Sequence, residues 1–164
     1  LLLLTLSYSL SYSQHEDKMI TLVKLELPSI DFINVINTVI SEEKKCDYYD
    51  FHLLFNVTID EGLNETFILI ESLADKNLAL GLNPYGYFYC QNHLFLIQGE
   101  ILDQLMNKTD TETEFEYIIY DPTHQPSDGD INKIYYYTDD SFSKWEFIYK
   151  RQGLKLKNKS TLCN

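Results

Sequence analysis

Cysteine, proline and glycine are all scarce in this 164-residue chain, with three, four and six of each. A small, odd number of cysteines excludes a disulfide framework, although one bridge stays open in an oxidising compartment. Few prolines and glycines, set against abundant Leu, Ile, Val and Phe, exclude a disordered or low-complexity chain. No apolar run reaches the roughly 20 residues that a helix needs to span a bilayer. Positive charge is short too: 13 Lys and Arg face 25 Asp and Glu, leaving a net charge of −12. A chain this acidic repels phosphate backbones and anionic lipid, so neither nucleic acid nor membrane insertion is expected.

What is present begins with LLLLTLSYSLSYSQ, Leu1 to Gln14, a stretch without a charged side chain; the first is Glu16. Two readings compete. Leu6, Tyr8, Leu10 and Tyr12 alternate with serines, the period-two pattern of a half-buried strand. The same stretch is apolar, ends in small residues at Ser11 and Ser13, and gives way abruptly to charge, as a secretory signal does. Its positive n-region is missing. The signal reading is preferred, which places the protein in a periplasm or outside the cell. The expected organisation is a signal remnant over residues 1–13, a single α+β domain over 14–152 and a basic, frayed tail over 153–164. About 150 residues then remain, enough for one real core.

Export makes a bridge chemically available. Cys46 with Cys90 is the preferred pair because Cys163 falls in the tail, and three free thiols are the alternative. N-x-[ST] sequons stand at Asn56, Asn64, Asn107 and Asn158. They matter only if the source adds N-glycans.

Periodicity gives the elements. KMITLVKLEL (18–27) reads as a strand stopped by Pro28, and Ser29 is placed to cap a helix over IDFINVINTVISEEKK (30–45). In that helix Phe32, Val35, Ile36, Val39 and Ile40 share one stripe. Its many β-branched residues lower intrinsic propensity, so packing on a sheet has to hold it. DFHLLFNVTI and TFILIES form one hairpin, YGYFYC and HLFLIQ another across Gln91 and Asn92. EILDQLMNK reads as a short helix, and EFEYIIYD, INKIYYYT and KWEFIYK as further strands. The expected fold class is therefore α+β: one long N-terminal helix on a large, mostly antiparallel sheet of about seven strands, open or curled around the helix.

Chemistry is harder to find. Cys90 and His93 face each other across the predicted turn, which would allow a histidine to activate a thiol. Yet that face continues into Phe88, Phe95 and Ile97, and apolar burial silences a thiol. The loop DPTHQPSDGD gathers Asp121, His124, Asp128 and Asp130, but without the EF-hand order, and its residues are ordinary turn formers. His15, His52, His93 and His124 show no zinc-ligand spacing. Glu114 and Glu116 share a strand face, a pairing that invites a glycosidase reading, but neighbours on one strand do not oppose each other across a cleft. There is no G-x-S-x-G, Walker loop or dinucleotide fingerprint. No catalytic residue, metal or cofactor is assigned.

The remaining feature is the second face of the central hairpin. Tyr85, Tyr87 and Tyr89 line up there with Leu94 and Leu96 opposite, while the first face is already apolar. A hairpin apolar on both sides has to be covered twice or present an adhesive surface, and tyrosine suits an interface. The expected function is a non-enzymatic module binding a protein or glycan through these five residues. A small hydrolase with unpaired groups, or a subunit of an envelope assembly joined through the sheet face, are the alternatives.

Overall fold

The computed structural model describes residues 16–45, 54–62, 65–73, 80–99, 102–119, 143–150 and 153–161. Its elements run β1 (Glu16–Glu26), α1 (Ile30–Glu43), β2 (Leu54–Gly62), β3 (Glu65–Leu73), β4 (Gly86–Cys90), β5 (His93–Gly99), β6 (Asn107–Ile119), β7 (Lys144–Lys150) and β8 (Gly153–Ser160). The stretch before Glu16, the strand expected at 131–138, Cys46 and Cys163 lie outside the described residues. So do His15, His52, Asn64 and the 121–130 loop.

The α+β reading holds at the level of one helix and one large sheet, and three details are corrected. The helix has 14 residues and follows a strand instead of opening the domain. Among the described residues the sheet has eight strands in the order β6-β1-β4-β5-β2-β3-β7-β8, with β6 and β8 at its edges. It is mixed, because the β4–β5 hairpin inserts between β1 and β2. That insertion makes β1 parallel to β4 and β2 parallel to β5, while the other contacts are antiparallel. Residues 153–160, expected to fray, form β8 against β7. The helix expected near 100–108 is only a turn, closed by the Leu105 and Met106 amides donating to the Leu102 carbonyl.

Local chemistry sets the helix. The Ser29 hydroxyl accepts from the Phe32 amide at 3.3 Å, capping the first turn. Phe32, Ile36, Val39 and Ile40 then bury one stripe against the middle of the sheet. There they meet Val57, Ile59, Ile68, Ile70, Phe95, Trp145 and Phe147. Phe88 anchors the contact, edge-on to Phe32 at 6.4 Å and stacked on Phe95 at 4.6 Å between ring centroids. Gln91 and Asn92 both take positive φ, 49° and 67°, as a two-residue turn of the favoured twist demands.

A second, smaller core lies on the opposite face. Leu22 from β1, Leu73 from β3, Leu80, and Phe115 and Tyr117 from β6 gather around Tyr87, Leu94 and Leu96. Tyr87 is 4 % exposed. Its ring meets Phe115 edge-on at 5.0 Å, and its hydroxyl lies 2.6 Å from Thr113 Oγ1. Here the apolar second face of the hairpin is resolved by covering it. Tyr87→Ala should therefore lower stability by about 3–5 kcal/mol, whereas Tyr87→Phe, which loses only the hydroxyl, should cost about 1 kcal/mol. Urea denaturation of the two variants beside wild type checks this order.

Candidate functional site

The five residues expected to bind do not form one open surface. Tyr87, Leu94 and Leu96 belong to the second core, with Leu96 fully buried. Tyr85 precedes β4 and packs on the helix side instead, with the Lys108 ammonium 5.8 Å above its ring. Its backbone is tied to both neighbours, the Val23 amide donating to its carbonyl and its own amide to Ile97. Only Tyr89 stands in solvent, 57 % exposed and edge-on to Tyr87.

The other candidates separate as well. Cys90 and His93 are register partners across the turn, but the Cys90 thiol donates to Asn37 Oδ1 at 3.6 Å. Burial pushes its pKa up, against the smaller opposing effect of the Lys44 charge. A thiol held in this way is not an activated nucleophile. Cys90 is a free thiol, and Cys46, its expected bridging partner, lies outside the described residues. Glu114 and Glu116 stand exposed on β6 opposite Thr21 and Met19. Among the described residues no group of three or more His, Cys, Asp or Glu side chains is placed to hold a metal ion.

The structure draws attention elsewhere, to the end of α1. Glu42 and Glu43 are chain neighbours in opposite environments. The Glu42 carboxylate accepts from Trp145 Nε1 at 3.0 Å and from Lys159 Nζ at 3.0 Å. The indole bond, then the lysine, hold its pKa below the usual carboxylate range. Glu43 continues the apolar stripe and is 3 % exposed. Ser72 Oγ donates to its Oε2 at 3.1 Å, the Ser143 hydroxyl is a second donor, and Oε1 has no hydrogen-bond partner. Burial raises the Glu43 pKa, and the two serine hydroxyls offset only part of that. Sequence reasoning missed Glu43 because a charged residue near a helix end reads as its wet tip. Its spacing from Ile36 and Ile40 was the available signal.

A bulge in β8 makes this corner possible. Phe147 pairs with Leu156 but Glu146 with Asn158, so Lys157 is the extra residue. Without the bulge, strict alternation along the same residues would send Lys159 to the face away from α1. With it, Lys159 arrives beside Glu42.

From this corner a groove of about 360 Å³ runs between α1 and β7–β8. Asp31, Asn34, Thr38 and Glu42 line its helix side, and Val35, Trp145, Phe147, Leu154 and Leu156 supply apolar wall and floor. Gly153 closes the far end with φ of +108°, where a Cβ would meet Asp31 Oδ2 at 2.9 Å. Asp31 to Glu42 spans about 16 Å of helix at 1.5 Å per residue, which matches roughly five residues of extended chain. Asp31 suits the first helical turn electrostatically, and among the described residues no cation pairs with it. Glu43 does not reach this groove, and both oxygens of Glu42 are already engaged.

Opposite shifts give opposite pH signatures. Glu43, raised on folding, contributes stability below the ordinary carboxylate pKa that is lost as pH rises through the folded value. Glu42, lowered on folding, contributes stability above the ordinary pKa that is lost as pH falls through its folded value. Glu43→Gln should therefore gain on the order of 1 kcal/mol over wild type at neutral pH and none in acid. Glu42→Gln should lose a similar amount at neutral pH and nothing in strong acid. Denaturant midpoints measured from pH 3 to pH 8 test both slopes.

Compared with known proteins, the chain matches no family model, no curated protein and no solved structure.

Proposed function

We propose that this chain is an exported binding module without catalytic chemistry, and that it holds a protein segment bearing apolar and cationic side chains in the α1–β7–β8 groove. The observation that carries this reading is the composition of the groove. Leu156 is 45 % exposed above an apolar floor, and among the described residues no cation pairs with the Asp31 carboxylate at one end. An extended segment would lay its apolar side chains on Leu154, Leu156 and Val35 and set a lysine or arginine against Asp31.

A protein segment is favoured over a glycan. Sugars stack on open aromatic faces, whereas the Trp145 and Phe147 rings are 1 % and 5 % exposed. The net charge of −12 also favours a cationic partner. Export rests on the charge-free Leu1–Ser13 stretch with its small residues before Gln14. Tyr89 remains available for a peripheral contact.

Trp145 is the chain's single tryptophan, so its fluorescence reports on the groove alone. A blocked Leu-Lys-Leu-Lys-Leu peptide should shift Trp145 emission saturably, and the Leu-Glu counterpart should not. Asp31→Lys should weaken the response about tenfold, a loss of roughly 1.4 kcal/mol, and Leu156→Asp should abolish it. Equal responses to both peptides, or none up to millimolar concentration, would overturn the assignment.

A further inference from the structure

We propose that copies of this chain join edge to edge, β6 of one against β8 of the next, with their helices on opposite sides of the joined sheet. Among the described residues, no strand pairs with the outer side of β6 or of β8. Open strand edges are templates for further pairing. What singles out this pairing is that the two edges are complementary on both faces at once.

On β6, Glu112, Glu114 and Glu116 are exposed on one face, while Phe115 and Tyr117 point to the other. On β8, Lys155 and Lys157 alternate with Leu154 and Leu156. The glutamates share the side of the sheet that carries α1, since Glu112 pairs with Val23, two residues before the core residue Leu25. The leucines also lie on the α1 side, and Leu154 packs on that core. The lysines point the opposite way, as the Lys157 ammonium 4.7 Å above the Phe67 ring shows. Turning one copy over therefore brings Glu114 and Glu116 beside Lys155 and Lys157. The same turn brings Phe115 and Tyr117 beside the leucines, so charge meets charge and apolar meets apolar.

Direction follows from the topology. Five of the seven strand contacts reverse direction, so β6 and β8 run oppositely within one copy. Turning the second copy over makes the joined strands parallel. In that register Glu114 lies against Lys155, Phe115 against Leu156 and Glu116 against Lys157. Lysines on an edge ordinarily prevent pairing. Here they prevent β8 from meeting β8, as the glutamates prevent β6 from meeting β6, and only the unlike pairing is favoured. Such a contact does not close on itself, so it builds rows of copies.

Sedimentation velocity over a concentration series gives the test. At about 0.1 M salt wild type should exceed its monomer mass increasingly with concentration, and it should revert at about 1 M, where the screening length falls from ~10 Å to ~3 Å. E114K/E116K and K155E/K157E should each stay monomeric alone. Their equimolar mixture should associate again, because each then offers the edge the other lacks. Hydrogen exchange on wild type needs no variant: amides of β6 and β8, and not the exposed side of the Tyr89 hairpin, should gain protection with concentration. Wild type monomeric throughout at low salt, either reversed variant associating alone, a mixture that stays monomeric, or protection at the hairpin would each overturn the proposal. Leu154 and Leu156 border the groove as well as this edge, but Glu114, Glu116, Lys155 and Lys157 do not line it, so the charge-reversed variants should keep the Trp145 response of the monomer, and either experiment can fail while the other succeeds.

Discussion

A single 14-residue helix has to seal one face of an eight-stranded sheet, and it cannot reach all of it. The position of α1 therefore decides what the rest of the surface becomes. Its stripe packs over the middle strands through Phe32, Ile36 and Ile40, and its C-terminal end is fastened through Glu42 to Trp145 of β7 and Lys159 of β8. The opposite corner, where β1 meets β6, is left uncovered on that side. There Met19 is 59 % exposed and the glutamates of β6 stand in water. The chain has answered bare edges with charge, acidic at one end of the sheet and basic at the other.

The helix end illustrates how buried charge is handled. Lys44 reaches the Gln91 side chain, whose amide in turn donates to Asn37, so the hairpin turn is tied to α1 by polar contacts. Just beside them Glu43 is placed where a hydrophobic residue would pack equally well. A carboxyl whose pKa burial raises, supported by serines from β3 and from the residue before β7, ties three elements together. Its cost is the desolvation that a leucine would not incur. Glu42 is the converse, an ionised group whose two oxygens are committed to fixing Trp145 and Lys159.

Much of the local structure was legible from residue spacing, and little of the global arrangement was. The Ser29 cap, the helical stripe and the Gln91–Asn92 turn depend on neighbours a few residues apart, so they can be read along the chain. Strand order depends on which hairpin enters which gap, and period-two alternation is silent on that. The parallel contacts of β1 and β2 were invisible for this reason. β8 was passed over because lysines dominate GLKLKNKS and its bulge breaks the alternation. The start of β6 was missed because Asn107–Thr113, on a wet edge, carries no apolar signal. The aromatic patch was a partial success: the double-sided character of β4 and β5 was real, but Phe115 and Tyr117, distant in sequence, occupy the second face. Tyr85 left that face because the strand begins only at Gly86.

The extra residue in β8 has a consequence for how this chain tolerates change. Most edge strands accept substitution and even lose a residue with little effect, since nothing beyond them depends on their phase. Here the phase itself is functional, because it aims a cation at the helix. Flattening the bulge at unchanged length would leave every side chain chemically intact yet turn Lys159 outward, stripping Glu42 of its partner beside an already buried Glu43. This edge is thus constrained in phase more than in composition.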